Sequence, residues 1–155
     1  MSDIIIDVVA DNSDEFKRRM KEGVEAALEA IGNQAVSHST QIITQNIPRH
    51  ADSWYTPTGN LRNSVSHKVK MDENSVYIGT NVEYAIYNEY GTGKYAEGDK
   101  PGRTGPWWFK DDAGNWHRTE GMKAIHFLRN AIQGHENEYE GIAKQEIEKK
   151  LNGVL

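Results

Sequence analysis

From Asn12 to Pro48 the chain carries a single unbroken stripe. Phe16, Met20, Val24, Leu28, Ile31, Ala35, His38 and Ile42 recur at spacings of three or four. That period marks one face of an amphipathic helix. Asn12, followed three residues on by Glu15, offers a capping box, and Pro48 disfavours helical geometry in the residue before it. A helix of roughly 34 residues spans about 50 Å. A chain of 155 residues folds into a domain narrower than that, so such a helix overhangs its own core and needs a partner. Gly23 and Gly32 are the weak points, each costing about 1 kcal/mol against alanine, and a bend or interruption is expected there.

The rest of the chain is built from shorter signals. Residues 4–9, "IIIDVV", are β-branched and predict a short strand. Residues 49–62 are turn-rich and read as a loop. Val65, His67, Val69 and Met71 alternate with polar neighbours, Asp72, Glu73 and Asn74 form a turn, and "SVYIGTN" returns, which makes a hairpin. Residues 84–90 have helical spacing with Gly91 at the cap position. Residues 94–105 hold five charges, three glycines and a proline, the composition of a mobile loop. "WWFKDDAGNWHR" predicts a second hairpin turning at residues 111–114, with Trp107, Phe109 and Trp116 as cross-strand or core neighbours. Phe127, Leu128, Ala131, Ile132, His135, Tyr139, Ile142, Ile147 and Leu151 predict a helix over 124–152, with Gly134 as the place for a break. The order implies an α+β fold with a long N-terminal helix, a small antiparallel sheet of hairpins, a short central helix and a long C-terminal helix. We read residues 1–155 as one domain, with 12–47 as a helical arm and 94–118 as a loop-hairpin insertion.

The chemistry on offer is narrow. Eighteen basic and 23 acidic residues give a net charge of −5. No segment has the basic excess that phosphate neutralisation needs, so no nucleic-acid partner is expected. There is no cysteine, which removes disulfides and thiolate metal sites. No apolar run approaches the roughly 20 residues of a membrane span, and the first residues carry aspartates where a secretion signal has a basic start. An unexported chain without a membrane partner is expected. "GTGKYA" fits the loose pattern G-x-G-x-x-A, but a nucleotide loop follows a strand and opens a helix. This stretch follows a helix and runs into "EGDKPGRTG", so we expect a helix cap and a connection, and no cofactor. The histidines show no H-E-x-x-H and no close pair with a carboxylate at metal spacing, and no nucleophile elbow is present, so neither a metal nor catalysis is expected. Glu83 and Glu89, six apart, fall on different helix faces, a poor arrangement for paired carboxylates. The tryptophans admit three readings: a sugar platform, a hairpin core, or an assembly surface.

Three motifs occur in one order: "TGNLRNSV" (58–65), "IGTNVEYAIYNEYGTG" (78–93) and "GMKAIHFLRNAI" (121–132). Together they resemble the tailed-phage family named after gene product ten of the lambdoid phage Hong Kong 97. The resemblance covers about 57–155, with the N-terminal helix similar in character only. Family proteins usually carry proline before the Phe-Leu of the last motif; Ala124 and His126 stand there, which leaves the start of the final helix open. The resemblance implies a small, non-catalytic α+β protein of the virion neck or tail that completes the tail or joins it to the head. It implies self-assembly, with a ring as one form, and docking to tail-tube or tail-terminator and head-connector proteins. It implies location in the virion, with assembly in the host cytoplasm. Candidate interface residues are Tyr84, Tyr87, Glu89, Tyr90, Gly91, Gly93, Lys94, Trp107, Trp108 and Trp116. The competing reading is a carbohydrate-binding or small hydrolytic module using Trp107, Trp108, Trp116 and Glu89.

Overall fold

A computed structural model describes residues 11–46, 59–99 and 105–153. The strand expected over 4–9 and residues 49–58 of the loop expected over 49–62 lie outside the described residues; residues 60–62 of that loop are helical instead. Helix α1 (Ser13–Asn46) is continuous over 34 residues. A short helix α2 (Asn60–Ser64) leads into β1 (Ser66–Lys70) and β2 (Ser75–Gly79), then α3 (Ala85–Tyr90) and a 3₁₀ turn at Gly93–Tyr95. Strands β3 (Trp107–Lys110) and β4 (Trp116–Thr119) follow, and helices α4 (Phe127–Gln133) and α5 (Glu136–Leu151) close the chain. The architecture is α+β, and each antiparallel hairpin is its own two-stranded sheet.

At its N-terminus α1 is held differently from the expected capping box. The Asp11 carboxylate accepts the Ser13 amide at 2.9 Å, while Glu15 turns forward to Arg18 and Arg19. The burial of α1 also departs from the apolar stripe. Its buried line is Gly23, Ala27, Gly32, Ala35, Ser39 and Ile43, which shares only Ala35 with the stripe. Small residues let neighbours come close, and the larger apolar side chains are left half-buried along the edges. A Cβ on Gly23 would stand 3.0 Å from the Ile147 Cα of α5. One on Gly32 would run into the His67 ring and stand 2.9 Å from Val76 of the first hairpin. Both glycines therefore serve contact, and neither interrupts the helix. Helix α5 runs antiparallel beside α1, with Arg19 donating to the Asn152 carbonyl at 3.1 Å and Gln34 to Glu138 at 2.9 Å. The partner that the length of α1 requires is thus the chain's own C-terminal helix.

The core sits against the C-terminal half of α1. Ile43, Leu61, Val65, Ala85 and Phe127 form it, with Val36, Val82 and Leu128 packed around them. The first hairpin has the expected alternation, with Ser66 opposite Gly79 and Lys70 opposite Ser75, and His67 bonds Glu29 of α1 at 2.7 Å.

The second hairpin differs in one respect. Trp116 pairs with Lys110 and Phe109 with His117, so five residues, not four, separate the strands. One extra residue moves every side chain of the return strand to the opposite face. Trp116 thereby leaves the Trp107 and Phe109 face and joins Trp108, both more than 60% exposed at 62% and 61%. The C-terminal helix also starts later than expected and is divided by Gly134 and His135.

These close approaches predict opposite outcomes for two glycines. Gly32→Ala should lower the unfolding free energy by about 1–3 kcal/mol through overpacking. Gly141→Ala, whose new methyl meets nothing within 4 Å, should raise it by up to about 1 kcal/mol. Urea titrations of both variants check this, and a neutral Gly32→Ala would contradict the tight seat of the hairpin on α1.

Candidate functional site

The "EYGTG" segment is a joint made of backbone. Gly91 ends α3 with φ 74°, and its amide bonds the Tyr87 carbonyl at 2.9 Å. The chain then runs beside residues 120–122. The Thr92 amide donates to the Met122 carbonyl at 2.8 Å and the Lys94 amide to the Glu120 carbonyl at 2.9 Å. The Met122 amide returns to the Thr92 hydroxyl at 3.0 Å. The two segments lie so close that side chains do not fit between them. A Cβ on Gly93 would run into the Glu120 carbonyl, and one on Gly121 into that of Thr92. Positive φ values of 61° at Gly93 and 112° at Gly121 favour glycine at the same places. The glycine pattern that resembles a phosphate cradle is therefore filled by the chain's own backbone.

Glu89 completes the joint. It is buried, and its carboxylate accepts the Leu128 amide at 2.9 Å and the Arg129 amide at 3.1 Å. These are second and third amides of α4, normally capped by a residue just before the helix. Here the residue before it, His126, is left-handed with φ 49° and provides no side-chain cap. The Ile125 amide is held by the Asn88 carbonyl at 2.8 Å, which keeps residues 124–126 out of helix. This is why the final helix begins at Phe127. Glu97 bonds His126 at 2.8 Å and reaches Arg129 at 3.5 Å, and the Arg129 guanidinium lies 5.7 Å from the Tyr90 ring centre. Lys94 forms an ion pair with Glu120, which raises the Lys94 pKa and lowers that of Glu120. Residues 94–97 are thus tied down, in contrast to the loop expected there; residues 100–104 lie outside the described residues.

The ten candidate interface residues separate into framework and surface. Glu89, Gly91 and Gly93 are buried in the joint, while Tyr90 and Trp107 are half-buried. Tyr84, Tyr87, Lys94, Trp108 and Trp116 are exposed. Sequence reasoning missed a groove of about 480 Å³ between α3 and α4, lined by Val82, Ile86, Tyr90, Leu128 and Ile132 with Glu89 also on its wall. Ile86 and Ile132 stand open to solvent on it. The apolar period of the last helix marked Leu128 and Ile132, but only folding against α3 makes them a surface.

The family described as "Bacteriophage HK97-gp10, putative tail-component" matches residues 13–91. The chain belongs to this family. The match begins at α1 and ends at Gly91, so it includes the N-terminal helix, which the sequence motifs had linked to the family only in character. It stops before β3–β4, α4 and α5. No curated protein and no solved structure gives a significant match. Membership in this tail-component family supports a structural, virion-associated, tail-related role for the protein. Among the described residues no helix is long and apolar enough to cross a membrane.

Two measurements follow from the joint and the second hairpin. Glu89→Ala should cost about 1–3 kcal/mol, the range for buried amides left without a partner, and Glu89→Gln, retaining one acceptor oxygen, should cost less; chemical denaturation reads both. Asp111 accepts from His117 at 2.8 Å and from the Asn115 amide at 2.8 Å, which hold its pKa at about 2 instead of 3.8. A depressed carboxylate stabilises the folded hairpin above its ordinary pKa, and that contribution disappears as the pH falls from 3.8 towards about 2. A ¹³C carboxyl titration should place the Asp111 midpoint near the lower value, and His117→Ala should move it upward.

Proposed function

We propose that the protein is a structural component of the head–tail junction, acting in tail completion or in the neck by self-assembly and by docking to tail and connector proteins. The observation that carries the reading is the exposed aromatic set on a stiff frame. Trp108 and Trp116 share one face of the β3–β4 hairpin, diagonal to each other, with Lys110 and Arg118 between and beside them. Tyr84, just before α3, and Tyr87 within it are each 38% exposed. Tryptophan, tyrosine and arginine are the residue types that dominate binding energy at protein interfaces, and the frame behind them is fixed by backbone contacts and a buried carboxylate. Little ordering is left to oppose association.

Lys94, Trp107 and Tyr90 flank or support that surface, and Glu89, Gly91 and Gly93 act through the frame. In this reading the protein performs no chemistry. Glu89 fits poorly as a hydrolytic acid or base, because each of its oxygens already accepts an amide.

The test is assembly. Trp108→Ala/Trp116→Ala, two exposed positions, should leave the circular dichroism spectrum and thermal midpoint unchanged. Virions produced with this variant should show tailless heads or unjoined tails by electron microscopy, with the protein missing from the particles. Normal particles containing the variant, or neck density that excludes this chain in wild-type particles, would overturn the placement. Saturable glycan binding lost in the same variant would favour the carbohydrate-binding module instead.

A further inference from the structure

Four histidines among the described residues sit against a carboxylate. His67 meets Glu29 at 2.7 Å, His117 meets Asp111 at 2.8 Å, His126 meets Glu97 at 2.8 Å, and His38 meets Glu138 at 2.9 Å. The last differs from the others because a second imidazole joins it. His135 stacks on His38 with ring centres 3.4 Å apart and 14° between the planes. One donor atom from each of His38, His135 and Glu138 lies within 4.8 Å of the other two.

We propose that His38, His135 and Glu138 form a binding site for one divalent transition-metal ion of the zinc class, clamping α1 to the corner between α4 and α5. Two imidazoles and a carboxylate are a donor set suited to Zn²⁺, Co²⁺ or Ni²⁺ and poorly suited to Mg²⁺ or Ca²⁺, which prefer oxygen. The groups behind these donors are arranged for the task. His135 Nδ1 lies 3.2 Å from the Ala131 carbonyl, so it carries the hydrogen and leaves the Nε2 lone pair available. A backbone carbonyl behind the ring is the common support for a metal-bound histidine. Gln34 donates to Glu138 Oε1 at 2.9 Å, leaving Oε2 as the oxygen that faces His38.

The His38–Glu138 pair is spaced for an ion, whereas the imidazole stack has to open to admit one. Donors about 2.0–2.1 Å from a tetrahedral zinc lie roughly 3.3 Å apart, and His38 Nε2 and Glu138 Oε2 are 2.9 Å apart. An ion takes the Nε2 position as the His38 ring proton moves to Nδ1, and the His135 ring turns out of its stack on His38, because two imidazoles on one tetrahedral ion have their centres roughly 5 Å apart. The Glu138 side chain is 41% exposed and that of His38 13%, so the ion has a route from solvent and a fourth position open to water. The three donors come from α1, from the turn at residue 135 and from the first turn of α5. A bound ion therefore fixes the C-terminal helix to the part of the chain that carries the family match.

Titration of the tag-free full-length protein with ZnCl₂ tests the site. Calorimetry should show one ion per chain, and Co²⁺ should give visible d–d bands. His135→Gln and Glu138→Gln should each weaken binding at least about tenfold, since even changes behind metal ligands cost 10–100-fold. The zinc-dependent rise in thermal midpoint should vanish with them. His117→Ala, in a histidine–carboxylate pair without a second imidazole, should bind as wild type. Circular dichroism checks folding; should His135→Gln unfold, the half-exposed Glu138→Gln decides. Absence of stoichiometric uptake by the wild type, or uptake unchanged in the folded ligand variants, would overturn the proposal.

Discussion

The buried carboxylate of Glu89 fixes how α3 and α4 meet. It leaves α3 and takes the free amides at the start of α4, with the charge shielded from solvent. Unpartnered amides and an unpartnered carboxylate would both be costly there, so each requires the other. Phe127, fully buried in the core, is the first residue of the helix so capped. The corner at Gly134 and His135, and the return of α5 along α1, follow from where that helix begins. A negative charge at a helix N-terminus also complements the backbone dipoles.

Glycine is used for proximity in two separate places. On α1, Gly23 and Gly32 let a helix and a hairpin reach its backbone surface; at the joint, Gly91, Gly93 and Gly121 let two chain segments pair without side chains between them. In both places the close approach replaces bulky apolar packing, which explains how a chain that is 37% hydrophobic positions its elements firmly. Tyr77, Tyr84, Tyr87, Trp108 and Trp116 are consequently spared from core duty and available for the surface.

Much of the fold was legible because it is governed locally. The period of α1, the turn chemistry at residues 72–74 and the glycine after α3 each specify their element within a few residues. What could not be read depends on distant partners. The buried face of α1 is chosen by α5 and the first hairpin, which favour the small-residue line over the larger apolar stripe. The start of α4 is set by Asn88 and Glu89, some forty residues upstream. The facing of Trp116 turns on whether Asn115 belongs to the turn, a single-residue question that composition cannot answer. The same division holds at the site: its aromatic residues were visible as types, whereas the inward role of Glu89, the α3–α4 groove and the meeting of His38 with His135 exist only once the chain has closed on itself.

The pairing of Lys94 with Glu120 has a topological consequence. The chain leaves this point at Lys94 and returns to it at Glu120, and the two ends are stitched together by main-chain hydrogen bonds. For a segment anchored in this way, doubling the length adds only about 0.6 kcal/mol of closure entropy. Beyond Glu97, which is tied to His126 and Arg129, the segment up to Thr119 can therefore change in length and sequence while the helices beneath keep their positions. A lineage of such proteins can trade one tip for another and so meet different neighbours, keeping a single base.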